Sequence, residues 1–245
     1  LEHDAAVTRA GWIAVALAAL AGGQADGAAL AGPAPSAVLT VPRVSGPVRI
    51  DAELERKTLW EADVGATGNF KDAAGHGMVP YTEAKVRWGD GKLYLMLYAG
   101  DLDLEGTVRA RDGALDGDDA FRLEFGQGGD RRVIWVSVLG TVADARCRPA
   151  TAPRGPARGS CLMDASWDSQ AKVAVDRDGT LNKIGDNDEE WVVEMAVPLA
   201  ALGVAPPHVG TQIPFSVRRC EVGHGRQHSC GGWGLAQRSL LTLGH

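Results

Sequence analysis

Apolar and polar positions alternate with a period of two along most of this chain. In "WVVEMAVP" (191–198), Trp191, Val193, Met195 and Val197 fall on one side, and Val192, Glu194 and Ala196 on the other. Extended backbone sends successive side chains to opposite faces, so this pattern predicts a strand. Pro198 ends it, because a proline cannot donate to a ladder but suits the first position of a helical turn. "LAAL" then gives one apolar turn, with Gly203 as its stop. "TEAKVRWGDGKLYLMLYAGDLDL" is the clearest hairpin, since Asp90-Gly91 between apolar runs selects a tight turn. Its second arm, "LYLMLYA", is apolar on both faces and predicts a central strand covered on both sides.

The same pattern predicts strands in "VLTVPRV", "PVRIDAEL", "RRVIWVSVLGTVADAR", "AKVAVDRDGTLN", "TQIPFSVRRCEV" and "SLLTL". In "AFRLEFG", Phe121, Leu123 and Phe125 face in while Arg122 and Glu124 face out. "LERKTLWEAD" reads as a short helix holding Trp60. Strands recur at intervals of roughly ten residues with Gly, Asp and Pro turns between them, the signature of a sandwich or barrel. The expected fold class is therefore all-β: an antiparallel β-sandwich of immunoglobulin or jelly-roll-like architecture, with one or two short helical turns. It contains no internal repeat, no coiled-coil heptads and no βαβ alternation.

Composition agrees: 32 glycines and 6% aromatics in 245 residues suit many short strands and turns. The net charge is −6, with no basic run, which excludes nucleic acid as a partner because phosphate neutralisation needs clustered Lys and Arg.

Residues 1–37 differ from the rest. Arg9 precedes the apolar run Gly11–Ala21, which is shorter than the roughly 20 residues a membrane-spanning helix needs. The segment reads as an export signal, with Ala19-Leu20-Ala21 or Ala29-Leu30-Ala31 as the cleavage site, or as an Ala/Gly/Pro-rich disordered extension. The expected location is secreted or periplasmic, with a single domain over 38–245. Four cysteines fit export. Cys147 and Cys161 flank "RPATAPRGPARGS", Cys220 and Cys230 flank "EVGHGRQHS", and the favoured pairs are 147–161 and 220–230 among three permitted pairings. Zinc is the alternative for the second pair, with His224 and His228 between the cysteines. The spacing lacks the two-residue Cys separation usual in structural zinc sites.

In order along the chain, "RIDAELERKTLWEAD", "AKVRWGDGKLYLMLYAGDLD", "DGDDAFRLEF", "WVVEMAVPLAAL" and "GTQIPFSVRR" resemble the motif series of the family 9 carbohydrate-binding-module-like domains. These are β-sandwiches related to the DOMON fold, and the resemblance runs from about Pro47 to the C-terminus. It implies non-catalytic binding of an oligo- or polysaccharide, in a protein that serves a glycoside hydrolase or another cell-surface protein in carbohydrate catabolism.

Family members clamp a terminal sugar between two tryptophans, with polar groups on the hydroxyls. Carried over, Asp101 becomes a hydroxyl acceptor, Asp119 a loop anchor, and Arg122, standing where a Glu is expected, a polar contact to the sugar. The first clamp Trp falls at Leu115 or Asp116, where this chain has no aromatic. Trp233 in "CGGWG" lies close to the second clamp position and reads as an exposed loop platform. Trp135, mid-strand in "VIWVS", is divided between core and ligand stacking. Trp60, Trp88 and Trp191 read as core.

Asp112, Asp116, Asp118 and Asp119 in the acidic loop, and "GDNDEE", supply oxygens for a structural calcium or, as the favoured reading, for Asx-type turns. No cofactor is otherwise implied. DOMON relatives include haem-b domains ligated by Met with Lys or His. That makes Met78, Met96, Met163 and Met195, with His76 near Met78, the ligand set of an alternative electron-transfer reading. Glu53, Glu124 and Glu194 are the carboxylates that a glycosidase would have to pair, and nothing in the sequence pairs them.

Overall fold

The computed structural model describes residues 37–54, 58–62, 64–149, 161–183, 185–222, 228–235 and 239–245. The expected export segment, 1–37, lies outside them apart from Ala37.

Among the described residues are twelve strands. They are β1 (Val38–Val41), β2 (Thr82–Gly89), β3 (Lys92–Gly100), β4 (Ala120–Gln127), β5 (Asp130–Ser137), β6 (Val142–Pro149), β7 (Cys161–Asp164), β8 (Lys172–Asp178), β9 (Glu190–Pro198), β10 (Gln212–Val222), β11 (His228–Trp233) and β12 (Leu240–Leu243). The larger sheet runs β1-β12-β10-β4-β5-β6-β7, with β11 also on β10, and the smaller runs β2-β3-β9-β8. Every pairing is antiparallel except β1 with β12. The two sheets form the expected all-β sandwich.

Local chemistry explains the elements. β2 and β3 close through Asp90-Gly91, both at positive φ (46° and 70°), the geometry of a two-residue hairpin turn. β3 and β9 lie side by side in the smaller sheet, and the inward set of β9, Trp191, Val193, Met195 and Val197, is wholly buried. Trp191 packs on Phe121 of the opposing sheet with ring centres 4.9 Å apart. After Pro198 the chain makes the expected tight apolar turn, Leu199 and Leu202 being buried and Gly203 sitting at φ +78°. Trp60, Trp88 and Trp191 are all core residues.

"PVRIDAEL" departs from its expectation. Residues 47–50 form no strand and lie across the outer face of the smaller sheet, where Val48, Ile50 and Leu54 pack on Trp60, Tyr94, Met96, Val192 and Ala196. The period of two that suggested a strand here matches side chains laid on a sheet face. Glu194 clamps the segment: its Oε2 accepts from the backbone N–H groups of Asp51 and Ala52 at 2.9 and 3.1 Å, and its Oε1 from Trp60 Nε1 at 3.0 Å. This cover is why β3 and β9 are apolar on both faces. Trp60 itself sits in a single 3-10 turn, Thr58–Trp60.

Candidate functional site

β4 and β5 bring two of the expected site residues, Arg122 and Trp135, side by side on the larger sheet. Strand alternation sends Phe121, Leu123 and Phe125 into the core and turns Arg122 and Glu124 outward. Pairing aligns Arg122 with Trp135 on β5 and with Arg218 on β10. The Arg122 guanidinium carbon lies 5.2 Å from the centre of the Trp135 ring, a cation–π contact. Glu124 forms an ion pair with Arg122, and its second oxygen is 3.7 Å from Arg131 Nη1. Beyond Trp135 the neighbour across β6 is Ala143, a methyl too small to cover an indole. Trp135 is half-buried and the Arg122 side chain 27% exposed.

Burial lowers the Arg122 guanidinium's pKa, Glu124 opposes that, and Arg218 and Arg131 add to it. Arg218 is exposed, and its Nε and Nη2 sit 3.2 and 3.1 Å from the sulfurs of Cys220 and Cys230. Two expected site residues, Arg122 and Trp135, are thus brought into contact. Glu124, Arg131 and Arg218 join them; the alternation in "RRVIWVS" and "PFSVRRCEV" was the signal for the two arginines.

Asp101 and Trp233 do not join this surface. Asp101, just past β3, has no exposed area, and its Oδ2 accepts from Arg219 Nη2 at 2.8 Å and Trp191 Nε1 at 3.1 Å. Arg219 follows outward Arg218 on β10 and so points inward, where a cation requires a buried partner. Burial pushes the Asp101 carboxyl up, against the pull of Arg219. Its place is between the sheets, out of reach of a hydroxyl at the surface. Trp233 belongs to β11, in register with inward-facing Val217, and its ring lies 6.1 Å from Phe215. The glycines of "CGGWG" suggested a loop; Gly231 and Gly232 are instead strand residues at close contacts, a Cβ on Gly231 falling 2.5 Å from Met78 Sδ.

Asp119 fixes its loop as expected. Its oxygens accept from the N–H groups of Glu105 and Val222, both at 2.7 Å. Burial first, then the Asp101 carboxylate, pushes it up to about 8. Asp118 accepts from Thr107 and Val108, and Asp188 of "GDNDEE" from Leu104 and Thr180. The acidic runs therefore staple loops in the manner of Asx turns. Among the described residues no group of three His, Cys, Asp or Glu is arranged to hold a metal.

Cys220 and Cys230 form a disulfide, as favoured, which removes both thiolates from the zinc alternative; His224 and the side chain of His228 lie outside the described residues. Cys147 is disulfide-bonded, while the Cys161 side chain lies outside the described residues. For the haem alternative, Met78 and Met195 are buried in the main core and Met96 in the cluster on the outer face of the smaller sheet, while Met163 and His76 are exposed, so these residues gather no ligand set. Glu124 and Glu194 lie on the outer faces of opposite sheets, and Glu194 is fully buried, so they do not flank a common bond.

No protein-family model matches the chain, and no curated protein sequence matches it. Solved structures do. A Bacteroides uniformis protein provisionally assigned to carbohydrate binding aligns with a TM-score of 0.60 at 12% identity, over 84% of this chain and 99% of its own. A family 9 carbohydrate-binding module of Caldicellulosiruptor kristjanssonii, solved with cellotriose, aligns with a TM-score of 0.55 at 14% identity, over 84% and 93%. A family 9 module of that organism solved with glucose gives 0.53 at 14% identity, over 85% and 96%. At these identities the likeness establishes the fold: a family 9 carbohydrate-binding-module-like β-sandwich.

Proposed function

We propose that this protein is a non-catalytic glycan-binding domain, and that it binds through the outer face of the larger sheet around Trp135 and Arg122. The observation that carries the reading is the pairing of these two side chains on the face of a family 9-like sandwich. A half-buried indole offers its exposed part to the C–H face of a sugar, and the adjoining guanidinium and carboxylate offer partners for its hydroxyls. Asp101 and Trp233 act from inside: Asp101 fixes Trp191 and Arg219, and Trp233 packs the sheet behind the site.

The neighbours solved with cellotriose and glucose support a saccharide as ligand. The Cys220–Cys230 disulfide supports export to an oxidising compartment, with residues 1–37 as the signal and a glycan-degrading or surface protein as the partner served. Among the described residues no helix is long and apolar enough to cross a membrane.

The test is titration calorimetry of a mono- and oligosaccharide panel against the protein and its Trp135→Ala variant. Saturable binding that the variant weakens at least about ten-fold, the scale of one lost stacking contact, supports the reading. A panel without binding, or binding indifferent to the substitution, defeats it.

A further inference from the structure

The charged side chains that point outward from β4 to β7, β10 and β11, among the described residues, are Arg122, Glu124, Arg131 and Arg218. Three guanidiniums thus face one carboxylate, on a chain whose net charge is −6. Glu124 serves both Arg122 and Arg131. Arg218 has no carboxylate within ion-pair distance among the described residues, and two of its nitrogens rest against disulfide sulfurs, which are weak acceptors. Arg218 and Arg122 are also direct cross-strand partners, an arrangement of like charges that destabilises a sheet, and of the two only Arg122 has a carboxylate beside it among the described residues.

We propose that the face takes an acidic saccharide, one whose sugar units carry carboxylates, with Arg218 and Arg122 gripping a carboxylate while the sugar ring lies towards Trp135. The inference rests on the glycan-binding reading above and narrows its ligand. A neutral sugar needs one or two polar partners beside a stacking ring, and a surplus of guanidiniums adds nothing to its recognition. A planar carboxylate matches the guanidinium fork in two parallel hydrogen bonds, which a hydroxyl cannot do. The overall negative charge of the chain disfavours long anionic polymers held by field alone, so the contact is local.

The experiment is calorimetry of the full chain with trigalacturonic acid and with cellotriose, at about 0.02 M and about 0.5 M salt. The expected result is that trigalacturonic acid binds at least about ten-fold more tightly at low salt, the margin shrinking at high salt as the charges are screened. Arg218→Gln, at an exposed position, brings the ratio of the two affinities towards one, and Arg122→Gln does so independently. Equal or tighter binding of cellotriose overturns the proposal and leaves glycan binding standing. Unchanged discrimination in both variants also overturns it. Failure of both trimers to bind overturns the acidic-ligand proposal and the glycan-binding reading together.

Discussion

Arg219 and Asp101 form an ion pair with neither side chain exposed, Nη2 lying 2.8 Å from Oδ2. Arg219 also donates to Thr82 Oγ1 and the Gly100 carbonyl, both at 2.9 Å, so one guanidinium ties β10 of the larger sheet to β2 and β3 of the smaller. Removing one partner strands a charge in the interior, a loss of about 3–5 kcal/mol. Asp101→Ala is therefore expected to lower stability by that amount in urea denaturation, while Asp101→Ala with Arg219→Met recovers much of it. A double variant no more stable than the single one speaks against the pair.

The same cluster sets a pH dependence. Asp119 is held up to about 8 from an ordinary 3.8, and burial raises Asp101 as well. A carboxyl raised on folding takes up a proton between its unfolded and folded values. For Asp119 the contribution is present in full below the unfolded value and is lost as pH rises through about 8. The urea midpoint is expected to be higher at pH 5 than at pH 8.5, with a shallower decline in Asp119→Asn. A midpoint that climbs across this range contradicts the assignment.

Glu194 receives three donors from the segment that crosses the smaller sheet. Glu194→Gln turns an amide N–H towards one or more of those donors, leaving buried groups unmatched at about 1–3 kcal/mol. Hydrogen exchange should then accelerate at the amides of Asp51 and Ala52 ahead of those in the middle of β9. Uniform acceleration across the protein would show that the clamp is not local.

Cys220 and Cys230 close a loop of sequence separation 10. By loop-closure entropy, reduction is expected to cost about 3 kcal/mol. It also removes the disulfide on which Arg218 rests. Because Cys147 is disulfide-bonded as well, thermal unfolding of a Cys220→Ala, Cys230→Ala double variant beside the unsubstituted protein measures the first effect.

The strands and their facing were legible because period-two patterns are local: β9, the β2–β3 hairpin and β4 could be read from their own residues. What the sequence hid was non-local. Asp101 at a strand end resembles a surface residue until Arg219, 118 positions away, is placed beside it. The inward phase of "IPFSVRR" already put Arg219 with Ile213, Phe215 and Val217, and a buried arginine was the available clue. Trp233 looked like a loop residue because glycines flank it, and only pairing with β10 assigns it to the inner face. Arg122 and Trp135 were separate candidates until register made them neighbours.

Saccharide binding at the Trp135–Arg122 face is read out by a ¹H–¹⁵N titration of the protein with an oligosaccharide that it binds, following the indole N–H signals of its tryptophans and the Nε–H signals of its arginines. The Trp135 indole and the Arg122 Nε–H are expected to shift and saturate together, while the indoles of Trp60 and Trp191, occupied by Glu194 and Asp101, stay in place. Saturable shifts confined to other tryptophans, with Trp135 unmoved, would contradict binding at that face.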